Sequence, residues 1–416
     1  MSAKEKQSQR TRSKPRKEKE AIAGAVDQWP VRASCYKLES AIGKGSYGLC
    51  WKAHCFEQSS PHHLSPVAIK VVSMTKFSAS HMDDLYREIQ ILSECQHRHV
   101  LGYYVSFVHE QELWLVMPYI EGGSLRNAIN LSFPKGIKDE VLLASILKQL
   151  VSGIQYFHKM GFVHRDLKGD NVLVHRDGRV LLSDFGVSTA VKTGSKEKEF
   201  AGSPCWMAPE VMAQKTGYDA SADIWSLGIT IIEFAEGKAP FEQYSGLKVL
   251  QSVLSSPAPE ISRYETQWSP ELRAFAKDCL QKEPGFRPRT DTLLSKHAAF
   301  FAKAKDINYI AEHLVAKLPP VKDRVDPKIV EQGQAYFDMK YQRYCRKSGI
   351  AFGTGRNASK KPKYEWKFES VDLADAADEE TSMLHTEYTT GSEGIAPTSN
   401  KQDAAAKSFD VVDANQ

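Results

Sequence analysis

The stretch HRDLKGDN, residues 164–171, is followed by DFG at residues 184–186 and APE at residues 208–210. HRDLKGDN and DFG are the strong signals, and with APE in this order and spacing they are not a chance coincidence, so they decide how the flanking sequence is read. Upstream, GKGSYG supplies Gly43, Gly45 and Gly48 between two stretches of strand character, YKLESAIG and GLCWKAHC. Glycines let a backbone approach phosphates closely, yet a lone G-x-G-x-x-G also opens dinucleotide sites. There a helix would follow the glycines, whereas LCWKAH reads as another strand. VAIK then ends in Lys70, and HMDDLYREIQILSEC places Leu85, Ile89 and Leu92 at helical spacing and contains Glu88. PVAIKVVS, YYVSFVHE and ELWLVMPYI complete a β-rich part. After Gly122 the pattern turns helical, with DEVLLASILKQLVSGIQYFHKMG and SADIWSLGITIIEFAEG as the long apolar elements.

These motifs together make the signature set of the eukaryotic protein kinases, which residues 34–301 resemble. The resemblance implies an α+β fold of two lobes, a β-rich N-lobe over 34–120 and a helical C-lobe over 121–301. It implies ATP and Mg²⁺, with phosphoryl transfer resting on positioning and charge neutralisation. Asp166 would orient the substrate hydroxyl and accept its proton, and Lys168 would offset charge on the γ-phosphate. Asn171 and Asp184 would hold Mg²⁺, and Lys70 paired with Glu88 would hold the α- and β-phosphates. The nucleotide would lie against Ile42, Gly43, Gly45, Gly48, Cys50, Ala68 and Lys70, with Met117 as gatekeeper. Pro118 would offer a carbonyl to adenine and Ile120 its N–H; proline lacks an N–H but keeps its carbonyl. Lysine at 168 resembles the serine/threonine kinases. Glu210 with Arg287, and Asp223, resemble the buried structural groups behind the activation segment and the catalytic loop.

ELWLVMPYIEGGSL, GSPCWMAPEVM and GYDASADIWSLGIT are similar to the sterile-20 group, most of all to its oxidative-stress-responsive and Pro/Ala-rich branch. In that branch an upstream kinase activates by phosphorylating a threonine four residues before the threonine of a GTP element. Here the element is GSP with Ser203, and the activating position is Glu199. Glutamate has one charge and two oxygens against nearly two charges and three oxygens for a phosphothreonine, so it imitates the phosphate in part. The pairing expected is Glu199 with Arg165; the competing reading is one more solvated charge in KEKE. Ser203 is expected to bridge Asp166 and Lys168, and Thr193, Ser195 and Ser203 are candidate phosphosites.

The 416 residues, 42% hydrophobic and 25% charged, are enough for a sizeable core, and the net charge is only +4. Residues 1–33 read as a basic disordered arm, with eight Lys or Arg against three Glu in the first 20. Its KPRKEK is compatible with a nuclear signal or a nucleic-acid contact, but no folded recognition motif stands behind it, so no specific nucleic acid is expected. Seven cysteines without a C-x-x-C pair, no apolar leader and no run of roughly 18 apolar residues point to a reduced compartment, cytoplasmic or nuclear, and to no membrane span. Residues 302–348 read as a helical extension of two helices, the first stopped by Pro319 and Pro320, and 349–416 as an acidic and polar regulatory tail. The residues after 380 look too few and too polar for the docking domain that ends members of that branch, so control of ion cotransport is not carried over. YEWKFESVDLADAADEE resembles the acidic segment after those kinase domains, and its Trp366 and Phe368 resemble peptides that bind a helical-repeat activating scaffold. The function expected is a serine/threonine protein kinase acting on protein hydroxyls in intracellular signalling. The alternative is a scaffold-type pseudokinase of the same fold.

Overall fold

The computed structural model describes residues 29–45, 48–76, 89, 95–185, 187–190, 196–262 and 268–347. Glu88, Gly186, Thr193, Ser195, Trp366 and Phe368, and the helix expected around Glu88 apart from Ile89 and Cys95, lie outside these residues.

The glycine-rich sequence does continue as strand. β1 (Tyr36–Lys44), β2 (Gly48–Cys55), β3 (Pro66–Ser73), β4 (Val105–His109) and β5 (Glu112–Pro118) form one antiparallel sheet in the order β1-β2-β3-β5-β4. Side chains alternate across a strand, so the register divides this sheet into two chemically distinct faces. One face carries Trp51, Ala53, Val67, Ile69, Val71, Trp114 and Val116, all buried. The opposite face carries Cys50 across from Lys70 and Ala68 across from Met117. A one-residue slip would exchange them, which is why the apolar alternation pins the register.

The helical lobe begins at α1 (Leu125–Ser132), capped by the Ser124 hydroxyl, which accepts from the Asn127 N–H. α2 (Glu140–Lys159) is capped by Asp139, which accepts from Val141 and Leu142, and carries His158 and Lys159 at its C-terminal end. The short hairpin β7 (Val172–Val174) and β8 (Val180–Leu182) follows β6 (Phe162–Val163), which itself pairs with β9 (Thr189–Ala190). After α3 (Pro209–Ala213), α4 (Ser221–Glu236) is buried along nearly its whole length, as a helix apolar on all sides must be. α5 (Gly246–Ser255), α6 (Pro270–Cys279), α7 (Thr290–Lys296) and α8 (Ala298–Phe301) close the lobe around it.

Beyond these lie α9 (Ile307–His313) and α10 (Pro327–Lys347). α9 ends six residues before Pro319, earlier than the prolines predict. Leu314 caps this helix (φ −119°, ψ −62°) with its side chain buried in the C-lobe core, and a single 3-10 turn, Val315–Lys317, follows. No helix among the described residues is long and apolar enough to cross a membrane.

Candidate active site

HRDLKGDN forms a loop between β6 and β7 whose shape is imposed from below. Asp223, fully buried in the first turn of α4, accepts from the backbone N–H of His164 (2.8 Å) and of Arg165 (2.9 Å) and lies 2.8 Å from His158 Nε2. Burial alone would raise the Asp223 carboxyl; hydrogen bonding and charge from His158, with help from His164, hold it below its ordinary value. The loop needs this brace because Arg165 sits at φ 69°, a left-handed conformation that costs a residue with a Cβ on the order of 1–3 kcal/mol. Asp184, across the site, has φ 60° and is strained in the same way.

The brace presents Asp166 in one orientation. Its Oδ2 accepts from Lys168 Nζ at 2.8 Å and from Asn171 Nδ2 at 3.0 Å, while its Oδ1 is buried and has no hydrogen-bond partner among the described residues. Asn171 Nδ2 also donates to the Asp166 carbonyl at 2.7 Å, leaving the Asn171 side-chain oxygen for another partner. Lys168 Nζ donates to Ser203 Oγ at 2.6 Å, so Asp166, Lys168 and Ser203 form one chain. Directly before Ser203, Gly202 has φ 115°, and a Cβ there would stand 2.3 Å from the Arg165 carbonyl oxygen. Only glycine lets the segment come this close to the loop.

Lys70 reaches across from the sheet to Asp184, Nζ to Oδ1 3.7 Å. Phe185 anchors that aspartate by burying its ring against Phe157 and His164, with centroids 5.0 and 5.4 Å away. Above them the turn at the glycines is tight: Gly45 N–H donates to the Gly48 carbonyl at 2.9 Å, and a Cβ on Gly48 would meet the Val71 carbonyl oxygen at 2.0 Å. Ile42 is the unpaired residue of a bulge in β1 between Ala41 and Gly43, and Cys50, whose thiol burial pushes up to about 11, lies on the cleft face across from Lys70. Met117 and Pro118 end β5, and the chain turns after Ile120, whose carbonyl accepts from Gly123 N–H at 3.1 Å. No group of three or more His, Cys, Asp or Glu with metal-ligand geometry occurs among the described residues. Asp184 and Asn171 are thus a two-residue oxygen donor set, which suits Mg²⁺ held jointly by protein and phosphate better than an all-protein cage.

Glu199 is not a free surface charge. Its Oε2 accepts from Arg165 Nη1 at 2.7 Å, and its backbone carbonyl accepts from the Tyr218 hydroxyl at 2.8 Å. Arg165 Nε donates to the Val187 carbonyl. Burial would lower the Arg165 guanidinium, but hydrogen bonds and charge from Tyr218 and Glu199 outweigh it and the net shift is upward. Glu197 and Tyr218 add a two-way backbone bridge, both bonds 2.8 Å, so the KEKE run is stitched to the loop before α4. Farther on, Glu210 and Arg287 form a bidentate pair at 2.6 and 2.8 Å with the guanidinium fully buried.

A model of the protein kinase domain matches residues 36–299. The chain belongs to the protein kinase family. Its kinase domain is of the sterile-20 group: it is 41% identical over 301 residues to the serine/threonine-protein kinase fray2 of Dictyostelium discoideum and 38% identical over 318 residues to germinal center kinase 3 of Caenorhabditis elegans. A third relative, the serine/threonine-protein kinase fray1 of Dictyostelium discoideum, is 38% identical over 303 residues. These alignments cover 71%, 71% and 72% of the chain but only 28%, 52% and 51% of the relatives, so the kinase spans between a quarter and about half of their length.

Three further residues of this kinase, none of them among the expected site residues, shape the site. Tyr218 joins Arg165 and Glu199 from 19 positions beyond the latter. Glu233, fully buried in α4, accepts from Gly169 N–H (3.0 Å) and Trp206 Nε1 (3.1 Å), tying the catalytic loop to the end of the segment; burial pushes its carboxyl up to about 7. Arg324 reaches the carbonyls of Glu121 and Gly122 from far down the chain. An aromatic or charged residue inside an apolar helix, such as Glu233, is the one kind that a burial argument flags in advance.

Proposed function

We propose that this kinase transfers the γ-phosphoryl group of ATP to serine or threonine hydroxyls of protein substrates. The observation that carries the reading is Asp166: one carboxylate oxygen is fixed by Lys168 and Asn171, and the other has no hydrogen-bond partner among the described residues and is the one left for a substrate hydroxyl. Asp166 orients that hydroxyl and takes its proton. Lys168, held by Asp166 and Ser203, presents its ammonium where charge develops on the moving phosphoryl group. Asp184 and the free oxygen of Asn171 would hold Mg²⁺, which when bound supplies neutralisation of phosphate charge. Lys70 on the cleft face binds phosphate oxygens, and Gly43, Gly45 and Gly48 let the backbone lie over them. Ala68, Cys50, Ile42 and Met117 offer adenine an apolar slot closed by the Pro118 carbonyl and the Ile120 N–H. Lys70, Asp166, Lys168, Asn171 and Asp184 are all present, which favours the enzyme over a pseudokinase scaffold.

The same reading gives Glu199 the place of an activating phosphate. The Arg165 partner is almost fully buried (3% exposed) whereas Glu199 is 53% exposed, so solvent weakens the pair and its contribution is modest. Glu199→Gln is expected to lower the activity of phosphatase-treated protein about two- to fivefold, the size of a screened pair worth up to about 1 kcal/mol. The check is phosphate transfer from ATP-Mg²⁺ to a generic protein substrate. Unchanged activity in the Gln variant would remove Glu199 from the switch and leave an upstream kinase, or a scaffold engaging Trp366 and Phe368, as the activator.

A further inference from the structure

Residues 302–347 lie past the matched kinase domain, yet they touch both lobes in turn. On the C-lobe the Tyr309 hydroxyl donates to Asp139, the cap of α2, at 2.7 Å, and Ile310 and Leu314 are buried in the lobe's core. The Ser132 hydroxyl at the end of α1 donates to the Lys317 carbonyl at 3.0 Å. The chain next passes behind the link between the lobes. There Arg324 Nη1 donates to the Glu121 carbonyl at 2.8 Å and lies 3.4 Å from that of Gly122, and Asn127 Nδ2 donates to the Arg324 carbonyl at 2.9 Å.

α10 then crosses onto the N-lobe and covers the apolar face of the sheet. Gly333 lies so close that a Cβ would stand 2.8 Å from Ala41 Cβ and 3.3 Å from the Trp51 ring. Tyr336 and Phe337 pack on Trp51 with centroids at 5.2 and 4.9 Å. The Tyr336 hydroxyl donates to Glu112 at 3.0 Å, and Lys340 pairs with Glu110 and Glu112 at 3.0 and 3.1 Å.

We propose that Arg324 is a positioning residue for the nucleotide hinge and that residues 302–347 form a strap that fixes the N-lobe sheet over the C-lobe at the separation ATP needs. The inference rests on the kinase reading for the identity of the nucleotide. A hinge absorbs lobe rotation in a few backbone dihedrals. Residues 118–123 are that hinge, and a guanidinium held on two of its carbonyls, with firm attachments on either side, restricts those dihedrals. Order that exists before binding does not have to be created on binding, so the effect falls on nucleotide affinity.

The test uses the full chain with Arg324→Ala and, at the opposite end of the strap, Gly333→Leu, whose side chain would push α10 off the sheet. Calorimetry with ATP-Mg²⁺, deuterium exchange of the 119–123 amides and steady-state kinetics are measured. Each variant is expected to raise the ATP Kd about three- to tenfold, the scale of losing one ordinary hydrogen bond's worth of order, and to speed exchange at the hinge. The kinetic loss falls mainly on the KM for ATP rather than on kcat, and Arg324→Lys, which can still donate to one carbonyl, recovers part of it. Unchanged affinity and unchanged hinge exchange in both variants, even with a lowered melting temperature, would overturn the proposal and leave the strap a stabilising element. Should the wild type bind ATP without transferring phosphate, the kinase reading falls and the affinities still decide the strap. Should it bind no nucleotide, hinge exchange alone decides: faster in both variants supports the strap and unchanged overturns it.

Discussion

Asp166→Asn is expected to lower kcat by about 10²- to 10⁴-fold, the range that a positioned general base contributes. The amide keeps the shape of the carboxylate and an oxygen for Lys168 or Asn171, so the loop brace by Asp223 is untouched. What disappears is the anion at the unpartnered Oδ1 position, the group proposed to accept the hydroxyl proton. Nucleotide affinity is expected to stay near that of the wild type, because Lys70, Asp184 and the hinge are unaltered. Single-turnover transfer and calorimetry with ATP-Mg²⁺ separate the two quantities. Transfer at close to the wild-type rate would exclude Asp166 as the base and sink the proposed mechanism.

Arg287→Ala is expected to destabilise the kinase by about 3–5 kcal/mol, the cost of leaving one partner of a buried ion pair uncompensated. Besides its two bonds to Glu210, the guanidinium donates to the carbonyls of Ser221 (2.9 Å), Gln281 (2.8 Å) and Lys282 (3.2 Å) and lies over the Trp225 ring at 5.3 Å. One side chain thus holds the end of the activation segment, the start of α4 and the loop after α6 together. Replacing both partners by apolar residues, Glu210→Leu with Arg287→Met, is expected to cost less than Arg287→Ala alone, since no charge is left stranded. Urea unfolding of the wild type and the two variants checks the ordering. A loss below about 1 kcal/mol for Arg287→Ala would mean that the segment is anchored elsewhere.

The parts of this architecture that were legible in the sequence are those governed by short-range rules. The strand character of GLCWKAHC and PVAIKVVS was legible from their β-type residues, and the long, mostly apolar stretch from Ser221 to Glu236 marked a helix. The motif spacing brought Asp166, Lys168, Asn171 and Ser203 to one place because a single loop and its adjoining segment carry them. The Arg165 and Glu199 pairing was legible only as one of two readings, since the group that orders Glu199, the Tyr218 hydroxyl, belongs to a different segment. The Arg324 contact with Glu121 joins residues 203 positions apart, and nothing in RVDPK distinguishes it from a surface arginine. The early end of α9 was hidden for the same reason: the demand to bury Leu314 comes from the C-lobe core, whereas the prolines are the only stop signal nearby.

The cover that α10 lays over Trp51 changes what counts as the smallest self-sufficient piece of this chain. A fragment ending at Phe301 would retain every motif of the kinase signature and lose Ile329, Tyr336 and Phe337, which pack on the cluster of Trp51, Ala53, Ile69 and Trp114. That cluster would then face water as a contiguous apolar patch, a surface prone to self-association. The boundary of the chemistry and the boundary of solubility therefore fall at different residues, some forty positions apart.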